Sequence, residues 1–324
     1  MASFCRNNLS GVGLIDRIFE SGILVMISRN HYWRYKMKQL KQSGLEAVLI
    51  IIGIILVSAT SGLFTTQAFS LVTYGKELME VCRELVEPHH LVYTNPVSHI
   101  ERPLFPIILK AFLSSARIFF LALGLALTCS ILLMILYFSV GKKVRKGVEG
   151  VAFFIASLPD IFVIGFLQLS VIWFFKQSGI LLLDIASLGV NQVILFPAIT
   201  LSILPTFFFL GSMVSFLKEE EGLPYVELAK GKGLGRFRIM FIHMMRNVLV
   251  SLTYHGKQII WMMLSNLLIL EYLFNVFGVT SFLFSYNTPA IFAVTSIMLF
   301  VPLYLLLKFM QFVISRKIGR EMSL

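Results

Sequence analysis

Acids and amides inside otherwise apolar stretches are the first residues here whose types could do chemistry. Asp160, Asn266 and Glu271 each sit within or at the end of a long apolar run, as do Arg117 and Lys257. An ionisable group in such a run is costly, so by default it marks a route for a polar solute. Cheaper readings stand beside that one. Arg117, Lys257 and Glu271 lie near the ends of their runs and can snorkel, and Asn266 can tie one helix to another. Asp160 follows Pro159 deeper in its run and carries the route reading furthest. A second group, Cys82 with His89, His90 and His99, holds ligand types that suit a transition metal, yet nothing fixes their geometry. They read as solvated loop residues, and no metal site is assigned. The glycine-rich string Lys230 to Arg238 lacks the G-x-x-x-x-G-K-[ST] of a phosphate-cradling loop, so its glycines read as hinges and no cofactor is assigned to the chain. G-x-S-x-G, H-E-x-x-H and paired-aspartate arrangements are missing from the sequence, which makes the chain non-catalytic on this reading.

The elements that must position these groups follow from composition. With 57% hydrophobic and 14% charged residues among 324, the chain departs from soluble domains, which carry about 25% charged residues. It reads as an all-α polytopic membrane protein, since only helices or closed barrels satisfy the backbone in lipid. Crossing a bilayer core of about 30 Å takes about 20 mostly apolar residues. Six stretches qualify, at about 47–72, 112–140, 151–175, 193–217, 248–277 and 290–314. They define a transmembrane domain over 46–324, preceded by an extension over 1–45. In that extension Leu14, Ile15, Ile18 and Phe19 cluster at helical spacing around Asp16, Arg17 and Glu20, the pattern of an interfacial amphipathic helix. Met37, just before the first span, is an alternative start. Cys5, Cys82 and Cys129 are widely separated and propose neither a disulfide framework nor a zinc site.

Basic residues set the orientation, because cytoplasmic loops retain Lys and Arg. One side collects Arg29, Arg34, Lys36, Lys38 and Lys41, then Lys142, Lys143, Arg145 and Lys146, then Lys218, Lys230, Lys232, Arg236, Arg238 and Arg246, and finally Arg316, Lys317 and Arg320. Both termini are therefore expected in the cytoplasm. The net charge of +11 is thus a topology signal and argues for no nucleic-acid partner. Two long polar connections remain, an outer loop over 73–111 and an inner loop over 218–247.

The inner loop reads as helix, glycine hinge, helix. Pro224 suits a helix start, and Glu227 falls in the first turn, where an acid complements the helix terminus. Gly231, Gly233 and Gly235 break the helix. Phe237, Met240, Phe241 and Met244 then recur at i, i+3, i+4 and i+7 as the apolar stripe of a second helix.

These residues, taken together, resemble the cytoplasmic loop of importer permeases of the ATP-binding-cassette type. Glu227, Leu228 and Ala229 fill its E-A-A triplet, and Gly233 falls at the required offset. Tyr225, Val226, Ala229, Lys232, Gly233 and Leu234, followed after eight residues by His243, Arg246 and Asn247, match the branch that carries dipeptides, oligopeptides and nickel. The resemblance runs from about Phe112 onward. It takes in Ser157, Leu158 and Pro159, then Glu271, Phe274 and Gly278, and finally Pro289; it departs at Ser251, Phe277 and Thr280. A fold of six helices of the type I importer permease is implied. So is a role as the subunit that, with a second homologous permease, forms the pathway for peptides or a related small solute in a bacterial plasma membrane. Two cytoplasmic ATPase subunits holding ATP and Mg, and an extracytoplasmic solute-binding protein, are the implied partners besides the lipid bilayer. The ATPase-coupling residues would be Tyr225, Glu227, Ala229, Lys232, Gly233, Leu234, His243, Arg246 and Asn247, and the pathway residues Asp160, Asn266 and Glu271. An ion-gradient-driven secondary transporter is the alternative; it calls for paired intramembrane acids and inverted repeats.

Overall fold

The computed structural model describes residues 43–67, 70–88, 91–94, 100–187, 192–286 and 288–318. Cys5, the amphipathic segment around Leu14 to Phe19, and His89, His90 and His99 lie outside the described residues. The chain divides into two compact units, Met1–Gly53 and Ile54–Leu324. Residues 43–53, the described part of the first unit, are helical throughout.

Helix α1, Ser43–Leu63, is the first apolar stretch, and its final turns tighten into a 3₁₀ segment, Ala59–Gln67. α2, Leu71–Val86, starts where the Ser70 hydroxyl accepts the Thr73 amide at 3.3 Å. A Cβ on Gly62 would come within 2.6 Å of Glu77 Cγ, so glycine permits the 3₁₀ segment to lie against α2. Two short antiparallel strands follow, β1 (Val92–Thr94) and β2 (Glu101–Pro103), with Tyr93 opposite Arg102.

The remaining elements are helical. They are α3 (Leu104–Ser139), α4 (Lys142–Ala156), α5 (Asp160–Ser178), α6 (Leu195–Glu221), α7 (Pro224–Gly231), a short turn Arg236–Arg238, a π-helical turn Ile239–Met244, α8 (Met245–Leu273), α9 (Val279–Ser285) and α10 (Pro289–Ile318). α6 packs against both α3 and α8. Met134, Phe209, Met213, Leu217, Val248 and Leu252 fill that junction at one end, and Ile118, Phe196, Met263, Leu267 and Phe274 fill it toward the other. A third cluster joins Tyr93 to Leu104, Phe282 and Ile291. Because lipid is as apolar as these side chains, close packing and internal hydrogen bonds hold such helices together more than the hydrophobic effect does.

Helix ends show why the sequence turns where it does. The Arg145 guanidinium donates to the carbonyls of Tyr137, Phe138 and Val140 at 2.8–3.0 Å. It thereby satisfies the otherwise orphaned last carbonyls of α3. Gly179 ends α5 with φ of 69°, a left-handed conformation that glycine adopts without penalty. Beside the α3 terminus, Tyr137 and Lys218 both donate to Glu149, the lysine at 2.7 Å. The Lys218 ammonium holds the Glu149 carboxyl below the usual carboxylate range.

Five described helices are long and apolar enough to cross a membrane: Ser43–Leu63, Leu104–Ser139, Asp160–Ser178, Leu195–Glu221 and Pro289–Gln311. The fifth expected stretch, 248–277, corresponds to α8, which has the length but carries Lys257, Gln258, Asn266 and Glu271. Those four side chains dilute its apolar character below that of the other five. The third expected stretch, 151–175, is not one helix. Pro159 lacks an amide hydrogen and disfavours helical backbone in the residue before it, so α4 ends at Ala156 and a new helix opens at Asp160. The second stretch begins earlier than expected, at Leu104, which leaves Arg117 well inside α3 and away from its end.

Candidate functional site

Three local features build the inner loop. Pro224 occupies the first turn of α7, where a missing amide hydrogen costs nothing. Val226 and Ala229 are buried against Ile239, Met240 and Met244 of the π-helical turn. The helix then closes as a Schellman motif, with the Leu234 amide donating to the Ala229 carbonyl at 3.3 Å and the Gly233 amide to Lys230 at 2.9 Å. Gly233 has φ of 76°, so the expected hinge is placed on this one glycine; Gly231 is the last residue of α7 and Gly235 precedes the next turn. A left-handed conformation costs a residue with a side chain about 1–2 kcal/mol. Gly233→Ala is expected to lose about that much stability and Gly233→Val more, read as a fall in the thermal unfolding midpoint in detergent. An unchanged midpoint in both variants would contradict the turn assignment.

The expected stripe Phe237, Met240, Phe241 and Met244 is corrected by the π-helical turn. Met240 and Met244 are buried with Ile239 and Val248, whereas Phe237 and Phe241 are exposed. Hydrogen bonds to the fifth residue widen each turn, and a stripe laid out at the α-helical period drifts off the packed face.

The nine loop residues singled out by the resemblance therefore divide by environment. Ala229 and Leu234 face inward with Val226. Glu227, Lys232, His243 and Arg246 are exposed, together with Leu228 at 62%. Tyr225 and Asn247 meet at a residue the resemblance did not single out. The Tyr225 hydroxyl donates to Glu220 Oε2, and Asn247 Nδ2 donates to the same oxygen at 3.0 Å and stands 3.4 Å from the phenol. Burial, then the Glu220 carboxylate, push the Tyr225 hydroxyl up to about 12. Next to this cluster is a cleft of about 400 Å³, lined by Phe138, Val226, Leu234, Met240 and Met244, with Lys230 and Arg236 among its polar groups. Arg236 lies 3.8 Å from Glu221 and over the Phe138 ring.

The three route candidates behave differently from one another. Asp160 is in the first turn of α5 and not deep within a span, because Pro159 begins that helix; Asn266 is a polar neighbour of its side chain. Asn266 is itself buried on α8. Glu271 does not snorkel. Its side chain is fully buried, and its Oε2 accepts the Thr280 amide at 3.0 Å, the Ser281 amide at 3.2 Å and the Thr280 hydroxyl. A Cβ on Gly278 would collide with this carboxyl group. The carboxyl group thus docks on the first turn of α9. Ser115 of α3 joins the same cluster by accepting the Val279 amide at 2.8 Å.

Glu220, Thr280 and Ser281 are what spacing overlooked. Glu220 is the middle of three consecutive glutamates, and only its neighbours in space distinguish it. Thr280 was visible solely as a departure from the family pattern, yet it supplies two of the bonds to Glu271. Among the described residues no group of His, Cys, Asp and Glu is arranged to hold a metal ion; Cys82 and Cys129 are free and exposed.

No curated protein matches the chain. Among known protein families, residues 121–320 match the model of the binding-protein-dependent transport system inner membrane component. That stretch begins within α3 and takes in α4 to α10, including the whole inner loop and Glu271 with Thr280 and Ser281. The family is one of multi-pass permeases of ATP-binding-cassette transporters, so the chain is a membrane permease and belongs to the binding-protein-dependent transport system inner membrane components.

Proposed function

We propose that this chain is the transmembrane subunit of an ATP-driven importer for di- or oligopeptides or a related small solute. It pairs with a homologous permease, and α8 completes a set of six spans with both termini in the cytoplasm. α7 is the coupling helix. The observation that carries this reading is the division of α7 into two faces: Val226 and Ala229 anchor it to the bundle, while Glu227, Leu228 and Lys232 stand free on the surface. A short helix held by one face and offering an acid, a large apolar side chain and a base on the other fits a groove in a partner. Two cytoplasmic ATPase subunits, which bind ATP and Mg, are those partners, and an extracytoplasmic binding protein delivers the solute. Closure of the ATPase pair then rocks the spans as rigid bodies to give alternating access. Asp160 with Asn266 is the polar pair assigned to the route.

The test is uptake of a labelled dipeptide and oligopeptide mixture into proteoliposomes carrying the copurified complex and its binding protein. Uptake is expected to require enclosed ATP and to survive collapse of ion gradients by ionophores. Uptake that proceeds without ATP and stops with the ionophore would replace this reading with a secondary transporter.

A further inference from the structure

α7 is attached to the bundle in two physically different ways. The apolar seat under Val226 and Ala229 is non-directional, and it resists separation better than sliding or rotation. The connections on either side are also permissive, with Gly222 before α7 and Gly233 and Gly235 after it. Directional bonds come from a single carboxylate oxygen. Glu220, in the last turn of α6, accepts from Tyr225 in the first turn of α7 and from Asn247 near the start of α8. Three elements separated by 5 and 27 residues along the chain thus meet at one atom.

We propose that Glu220, Tyr225 and Asn247 are positioning residues that clasp α7 to α6 and α8, so that force applied to α7 moves those two helices with it. The inference rests on the reading of α7 as the coupling helix, and it removes Tyr225 and Asn247 from the surface that touches the ATPase. Three features of the site support it. Tyr225 and Asn247 are both partly buried, which limits competition from water. The phenol, raised to about 12, stays a donor throughout the range in which the protein works. Charge-assisted hydrogen bonds are also stronger than neutral ones, so the carboxylate suits a joint that must carry load.

The test uses the assembled transporter copurified from its own membrane, with Cys5, Cys82 and Cys129 replaced by serine. A nitroxide is attached through Leu228→Cys, on the exposed face of α7, or through Leu249→Cys, on the exposed face of α8. Trapping with ATP and vanadate is expected to change the spectrum at both positions in the parent. Tyr225→Phe keeps the ring and removes only the hydroxyl. It is expected to preserve the change at position 228 and reduce that at position 249 at least two-fold. Asn247→Ala should act in the same direction, and Glu220→Gln, which keeps an accepting oxygen but loses the charge, should give a response between those of the parent and Tyr225→Phe. A merely structural role would instead lower the unfolding midpoint and leave the ratio of the two responses unchanged. Full responses at both positions in Tyr225→Phe and Asn247→Ala would overturn the clasp. A parent in which position 228 ignores nucleotide would overturn the coupling-helix reading, and the clasp as a transmitter with it.

Discussion

Glu227→Arg is expected to abolish ATP-dependent uptake while leaving the chain folded and inserted. Within the chain the substitution is cheap. Glu227 is exposed, and an acid in the first turn of a helix contributes about 0.3–1 kcal/mol through the helix dipole. Reversing it costs stability on that scale. At the partner surface the arithmetic differs, because placing a like charge against a complementary site costs several kcal/mol, and each 1.4 kcal/mol is about tenfold in affinity. Loss of ATPase association by about 100-fold or more is therefore expected, alongside an unfolding midpoint close to that of the parent. Unchanged uptake would contradict the role assigned to α7.

Gly278→Ala is expected to damage the fold itself. The new methyl group would occupy the space held by the Glu271 carboxyl, which is enclosed and cannot swing into solvent. Displacing it breaks the bonds from the Thr280 amide, the Thr280 hydroxyl and the Ser281 amide. Leaving a buried polar group without its hydrogen bonds costs about 1–3 kcal/mol, against a total stability of about 5–15 kcal/mol for a typical domain. A large fall in the unfolding midpoint and in the yield of monodisperse protein should follow. Combining Gly278→Ala with Glu271→Ala removes the collision, so the double variant should lose less than the sum of the two single losses, a coupling that a double-mutant cycle measures. A Gly278→Ala protein as stable as the parent would refute the docking of Glu271 on α9.

What could be read from the sequence was whatever has a local physical cause. Apolar runs located the five helices long and apolar enough to cross a membrane, the third with its start misplaced, and the glycine run located a turn in which Gly233 takes positive φ. The resemblance to the permease loop picked out Tyr225 and Asn247 as belonging to one unit, although not the contact that joins them. The remainder depends on neighbours distant in sequence. Glu220 resembles Glu219 and Glu221 until the fold sets Tyr225 and Asn247 against it. Glu271 read as a snorkelling acid because nothing local announces that Thr280 and Ser281 return their amides to it. Two misreadings have local causes that were outweighed. Pro159 was a signal for a helix start, but continuous hydropathy ran across it; the π-helical turn shifted a stripe laid out at the α-helical period.

The central claim is that the exposed face of α7 docks an ATPase, and mass spectrometry of what copurifies with the tagged protein in mild detergent addresses it most directly. The account predicts two ATPase chains and a second permease with the parent, and loss of the ATPase chains with Glu227→Arg at equal recovery of the tagged chain. A lone chain or a homodimer, isolated from membranes in which such ATPases are expressed, would contradict it.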